Sequence, residues 1–254
     1  MSPSRNIKYL MTHIVIGYPS IEANVRTIKT MRDAGVDYIE MQIPFSDPIA
    51  DGRTILNANQ AALKNKITVA DCFKFARKMI QSYSEINFLF MTYYNIVFNA
   101  GTAEFITRSN NAGLYGLIVP DIPPEEDIEN YYKICRKTGI HPIAVFSPTT
   151  TDIRLRKIKN MASGFAYCTS RVGITGAGNK PHKKLGKFIL NAKKIIDLPI
   201  AVGFGIDSAS KAKIISEFAD IIIIGSKVLN IIDESGKKFE KNVYNFLYDV
   251  KKAI

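Results

Sequence analysis

Eight apolar runs of strand length, at 9–16, 38–43, 87–92, 116–120, 141–146, 164–168, 199–203 and 220–225, alternate with stretches of helical apolar spacing. Eight β/α units in 254 residues predict an α/β protein, a closed (β/α)8 TIM barrel occupying residues 1–254 as a single domain. A doubly wound open sheet is the other arrangement such units allow. With 46% apolar residues the chain can bury one large core, and no Pro/Ser/Gly-rich or charged block divides it.

Boundary signals accompany the pattern. Thr68 is placed to cap an amphipathic helix over 69–80, Thr102 one over 103–111, and Asp207 or Ser208 one over 209–218. Pro123, Pro124, Glu125 and Glu126 put prolines and acids at an expected helix start. Gly35, Gly113 and Gly139 follow helical patterns, where a left-handed C-cap is wanted.

Composition disfavours several function classes. The run ending at Gly225 is interrupted by Asp220, no apolar segment reaches membrane-spanning length, and the N-terminal stretch lacks the core and cleavage site of a secretory signal. Cys72, Cys135 and Cys168 lack metal-ligand spacing and cannot pair off completely, which fits a reduced, cytoplasmic chain with no structural metal. A formal net charge of +11 would suit an anionic partner. The lysines, however, fall mostly on expected helix faces with no nucleic-acid motif beside them, and a small phosphorylated substrate needs only a local positive field.

On a barrel the reacting groups collect at the C-terminal ends of the strands, where Glu40, Tyr93, Asn95, Asp121, Tyr167, Gly203 and Gly225 are expected. The richest such segment is YIEMQIPFSDPIADGRTI at 38–55. Tyr38, Ile39, Met41 and Ile43 read as a buried strand, so Glu40 takes a position that usually holds valine or isoleucine. A carboxyl group there must be paired, hydrogen-bonded or protonated, and desolvation suits such a group to proton transfer at neutral pH. The competing reading is a structural acid satisfied by backbone amides at a strand end.

Three glycine-bearing segments follow the sixth, seventh and eighth runs: RVGITGA at 171–177, Gly203-Phe204-Gly205-Ile206, and Gly225-Ser226. Glycine lets backbone amides approach a phosphate, and short helix N-termini after the last two strands would add the positive end of a dipole. Each segment alone reads as a turn; at the ends of consecutive strands they point together to a phosphate ester.

Glu40-Met41-Gln42-Ile43-Pro44-Phe45-Ser46-Asp47-Pro48 followed by Ala50-Asp51-Gly52-Arg53 closely resembles the signature of the tryptophan synthase alpha subunit family. The likeness continues through TILNANQA at 54–61, YYNIVFNAG at 93–101, Asp121-Ile122-Pro123, Ser147-Pro148-Thr149, 167–177, 203–206 and 224–226, in order over nearly the whole chain. It implies retro-aldol cleavage of indole-3-glycerol phosphate to indole and glyceraldehyde 3-phosphate, with no metal or organic cofactor in this chain. Glu40 then corresponds to the acid/base, and Asp51 to the carboxylate that accepts the indole N–H. The resemblance further assigns Tyr167, Tyr93 and Thr175 to the substrate and Gly176, Gly205, Gly225 and Ser226 to its phosphate. Asp47 and Thr175 stand in the two loops that meet on closure. The implied partner is a beta subunit that carries pyridoxal phosphate (PLP) and receives the indole, in an α2β2 complex.

The chain also departs from that family's pattern. Gln42 replaces a glycine on Glu40's face of the strand, where it would bond Glu40 or crowd the indole pocket. Met41 replaces leucine, Arg53 a proline and Tyr18 an aspartate, and little room precedes the first strand for the helix that usually closes the barrel base. His13 and His141 read as packing residues and His182 as solvent-exposed. Three function classes are weighed: an active lyase subunit, a binding module that only activates a beta partner, and another phosphate-binding barrel enzyme such as an isomerase. Retention of both Glu40 and Asp51 favours the first over the second, and the paired acidic and Ser-Arg-x-Gly-x-Thr-Gly signatures disfavour the third.

Overall fold

The computed structural model describes residues 7–127, 129–169, 180–203 and 205–254. Strands β1 (Tyr9–Val15), β2 (Tyr38–Gln42), β3 (Asn87–Met91), β4 (Gly116–Ile118), β5 (His141–Phe146), β6 (Ala166–Thr169), β7 (Ile200–Gly203) and β8 (Ile221–Ile224) pair in chain order into a closed barrel. Every pairing is parallel, and β8 returns to β1 with Tyr9 opposite Ile221.

Alternation along each strand sorts the core. Met11, Tyr38, Leu89, Ile118, Ile143 and Ile221 pack inside the barrel, while Leu10, Ile39, Phe88, Leu117 and Ile222 pack outward beneath the helices. Burial on both faces is why the strands read as continuous apolar runs. At the N-terminal end of the barrel Tyr38 meets Tyr9, Tyr115 and Phe165 edge-on, with ring centroids 5.8, 5.5 and 5.8 Å apart. His141 joins this aromatic plug, 4.5 Å from the Tyr115 ring and bonded through Nδ1 to Ser163 Oγ at 2.9 Å. It is the packing role expected for it, and burial lowers its pKa.

Local signals set the helix ends. Thr68 and Asp71 form a reciprocal capping box at α3 (Val69–Ser82), and Ser208, not Asp207, caps α9 (Ala209–Ser216). Gly35, Gly113 and Gly139 take φ of 84°, 86° and 90° at helix ends. Two starts differ from expectation. Helix α5 (Thr102–Asn111) includes Thr102, because Gly101 at φ 79° already turns the chain into it. The Pro124–Glu126 segment makes only a 3-10 turn, and α6 (Tyr131–Thr138) begins later, where the Asp127 carboxylate accepts the Tyr132 amide at 3.3 Å. No described helix is long and apolar enough to cross a membrane.

Candidate active site

Glu40 lies on the inner face of β2 between Tyr38 and Gln42 and is 4% exposed. Strand pairing sets it opposite His13 of β1, whose Nδ1 is 3.4 Å from Glu40 Oε1. Both side chains line one cavity of about 310 Å³ at the C-terminal mouth of the barrel. His13 therefore differs from its expected packing role: it is buried, but beside the acid and facing the cavity. Burial works against a charged imidazole there, yet Glu40, Asp51 and Gln42 together raise the His13 pKa above its ordinary value.

Asp51 sits on the loop after β2 and borders the same cavity. Gln42, fully buried, donates from Nε2 to Asp51 Oδ2 at 2.6 Å, so its amide serves Asp51 and not Glu40. Burial raises the Asp51 carboxyl above the usual aspartate range; bonds from Gln42 and Tyr93 and the His13 charge oppose that rise.

Tyr93 is 1% exposed and is not among the cavity-lining residues. It precedes α4 (Tyr94–Asn99), its ring stacks on Phe45 at 5.2 Å, and its hydroxyl accepts the Ala50 amide at 3.1 Å. The tyrosine thus props the Asp51 loop from behind. Asp121 accepts the Tyr94 amide with both oxygens, at 2.9 and 3.0 Å, and Asn95 is exposed and bonded to Asn99.

Past Tyr167 and Gly203 the cavity continues into a second space of about 340 Å³, bordered by Gly205, Asp207, Ser226 and Asn230. A Cβ on Gly203 would stand 2.9 Å from Tyr167 Oη, so the tyrosine hydroxyl lies close over this glycine and would have to shift for a larger residue. Helix α10 (Ser226–Ser235) starts directly after β8 with Gly225 at its N-cap, and both Gly225 and Ser226 border the space. A helix N-terminus there favours an anion. After β7, Gly205 turns at φ 47°, and the next described helix is the short α9, beginning at Ala209.

Asp47 is exposed and accepts Ser46 Oγ at 2.5 Å. Thr175 and Gly176 lie outside the described residues, as does the side chain of His182.

The chain matches the family model described as Tryptophan synthase alpha chain over residues 2–253. The chain belongs to that family. It is 45% identical over 227 residues to the tryptophan synthase alpha chain of Syntrophotalea carbinolica, covering 89% of each chain. Its fold is similar to the crystal structure of the tryptophan synthase alpha chain from Legionella pneumophila, with a TM-score of 0.88 at 29% identity, covering 98% of this chain and 92% of that one. A tryptophan synthase complex from Pyrococcus furiosus gives a TM-score of 0.87 at 28% identity, covering 98% of this chain and 99% of that one.

Tyr18 and Arg53, two of the departures from the tryptophan synthase alpha pattern, have defined places in the structure. The Tyr18 hydroxyl donates to Asp233 of α10, tying the β1 loop to that helix, and burial together with this bond pushes its pKa up to about 12. Arg53 is the first residue of α2 (Arg53–Lys64) and is exposed, which leaves its charge in solvent. Sequence reasoning missed His13 as a site residue; its one available signal was a polar side chain at an inward position of an apolar strand.

Proposed function

We propose that this alpha chain cleaves indole-3-glycerol phosphate to indole and glyceraldehyde 3-phosphate, with Glu40 moving the protons and Asp51 holding the indole N–H. The observation that carries the assignment is the cavity itself. Glu40 and Asp51 line one space together with Gly225 and Ser226 at the start of α10, and those two residues also line the adjoining space with Gly205. A phosphate at the helix end leaves the apolar ring near Glu40 and Asp51.

In this reading the Glu40 carboxyl gives a proton to indole C3, and the positive charge on the ring nitrogen is stabilised by the Asp51 carboxylate. Glu40 then takes the side-chain hydroxyl proton as the carbon-carbon bond breaks. Its electron pair restores the indole double bond, the hydroxyl carbon becomes the aldehyde, and the acid ends protonated as it began. Tyr167 packs beside the ring. Gly176, Gly205, Gly225 and Ser226 surround the phosphate, and Asp47 and Thr175 close the loops over it.

The same reading treats residues 1–254 as one barrel domain working in the cytoplasm with a beta subunit. That partner carries the PLP and receives the indole, in an α2β2 assembly.

The test is indole release from indole-3-glycerol phosphate by the purified chain, with and without a beta subunit. Glu40→Gln is expected to lower turnover by about 1,000-fold or more with the fold intact. Asp51→Asn is expected to lower turnover severely while glyceraldehyde 3-phosphate binding is kept. Thr175→Val is expected to lose most of the activation by the beta subunit and keep the slow basal rate. Near-normal turnover in Glu40→Gln would overturn the assignment.

A further inference from the structure

Among the described residues, His13 Nε2, Glu40 Oε2 and Gln42 Oε1 are buried polar atoms without a hydrogen-bond partner. All three belong to the adjacent strands β1 and β2, where His13 is in register with Glu40. The His13 and Glu40 side chains are 4% and 5% exposed, and their facing atoms are 3.4 Å apart. Burial disfavours an isolated charge on either group. The stable states are an imidazolium beside a carboxylate, or an imidazole beside a carboxylic acid. Each of these states holds one proton between the two side chains.

The surroundings of His13 support this reading. Strand β2 supplies Glu40 and the neutral amide of Gln42, both of which raise the His13 pKa, and the loop after it supplies Asp51, which acts on His13 through its charge. On its other side, β8 and its end contribute Ile223 and Gly225, neither titratable, and β6 contributes Tyr167 across the mouth. Glu40 is the carboxyl group paired directly with the imidazole.

We propose that His13 is a positioning residue that shares one proton with Glu40, so that the pair, rather than Glu40 alone, is loaded for proton transfer at neutral pH. The proposal rests on the acid/base reading of Glu40. In the loaded pair the imidazolium passes its proton to Glu40, which gives it to indole C3. When the carbon-carbon bond breaks, Glu40 takes the hydroxyl proton and the pair is restored with no net proton gained or lost. Loss of the pair's proton stops the first step. Glu40, with smaller contributions from Asp51 and Gln42, raises the His13 imidazole above the ordinary histidine range although burial opposes it. Turnover is therefore present below that raised value and falls as pH rises through it.

The test is kcat and KM for indole-3-glycerol phosphate against pH in the full chain and in His13→Asn and His13→Phe. Asparagine keeps an N–H near Nδ1 but is neutral at every pH. In both variants kcat in mildly alkaline buffer is expected to fall about 10-fold or more with KM changed less than about 3-fold. In His13→Asn, whose amide can still bond the carboxylate, the alkaline limb is expected to move to lower pH by about a unit or more. NMR titration of the His13 imidazole supplies a readout independent of activity. It is expected to titrate above the ordinary histidine value and to drop in Glu40→Gln. If His13→Phe does not fold, His13→Asn and the NMR titration decide. An unmoved alkaline limb in His13→Asn, or a His13 titration indifferent to Glu40→Gln, overturns the shared proton. An active Glu40→Gln overturns instead the acid/base reading on which it rests.

Discussion

Gln42 Nε2 donates to Asp51 Oδ2 across 2.6 Å, which joins the inner face of β2 to the loop that follows it. A rigid strand thereby orients a carboxylate carried on a loop. Burial raises the Asp51 carboxyl, and a bond donated to the charged oxygen holds that rise in check. Gln42→Leu removes the donor, so the Asp51 carboxyl is expected to rise further. Under the proposed role, in which Asp51 acts in its ionised form, activity in this variant should be lost at a higher pH as the solution is acidified. The acid limb of kcat/KM measures the shift, and kcat/KM itself is expected to fall about 10-fold. An acid limb identical to that of the parent chain would mean that the bond does not govern Asp51.

Tyr93→Phe keeps the ring stack on Phe45 and removes the hydroxyl that accepts the Ala50 amide and reaches Asp51. Stability should drop by about 1 kcal/mol in urea denaturation. Turnover should drop more than binding of glyceraldehyde 3-phosphate, because the loop carrying Asp51 loses its prop. Equal losses in both would place Tyr93 at the substrate instead.

Gly205 stands at φ 47°, and a Cβ built there meets no atom of the described residues beyond its chain neighbours within 4 Å. Strain, not a clash with the described residues, is the cost of a side chain at this position. Gly205→Ala should cost about 1 kcal/mol of stability. If the amides near Gly205 hold the phosphate, calorimetry should show weaker binding of glyceraldehyde 3-phosphate and unchanged binding of free indole. A variant that binds both normally would put the phosphate elsewhere.

Cys72, Cys135 and Cys168 are free and buried, and burial pushes the thiols of Cys135 and Cys168 up to about 12 and that of Cys72 higher still. Thiolate is the reactive form. The native chain is expected to show no rapid reaction with a disulfide reagent at neutral pH, and three thiols after denaturation. A fast thiol in the native chain would reveal local opening around one of these strands or helices.

Asp220, 1% exposed just before β8, accepts the Ile200 amide at 2.8 Å and Lys193 Nζ at 2.6 Å. Asp220→Ala leaves a buried amide and an ammonium group unpaired and is expected to cost about 3 kcal/mol in equilibrium unfolding. Asp220→Asn keeps an acceptor for the amide and should recover part of the loss. A loss below about 0.5 kcal/mol in the alanine variant would mean that water replaces both bonds.

The amino-acid sequence by itself determined the eight β/α units and their order, because two-sided burial of parallel strands and one-sided burial of helices leave different periodicities in a linear chain. It also marked Glu40, since a carboxyl group on an apolar strand is conspicuous, and the glycine segments, since glycine at consecutive strand ends is a backbone signal. Only the tertiary structure decided that His13 faces Glu40, that Gln42 bonds Asp51 rather than Glu40, and that the Tyr93 hydroxyl accepts the Ala50 amide. These relationships depend on the register between strands and on the path of a loop. Both are settled by packing among distant segments, and neither leaves a local trace in residue spacing.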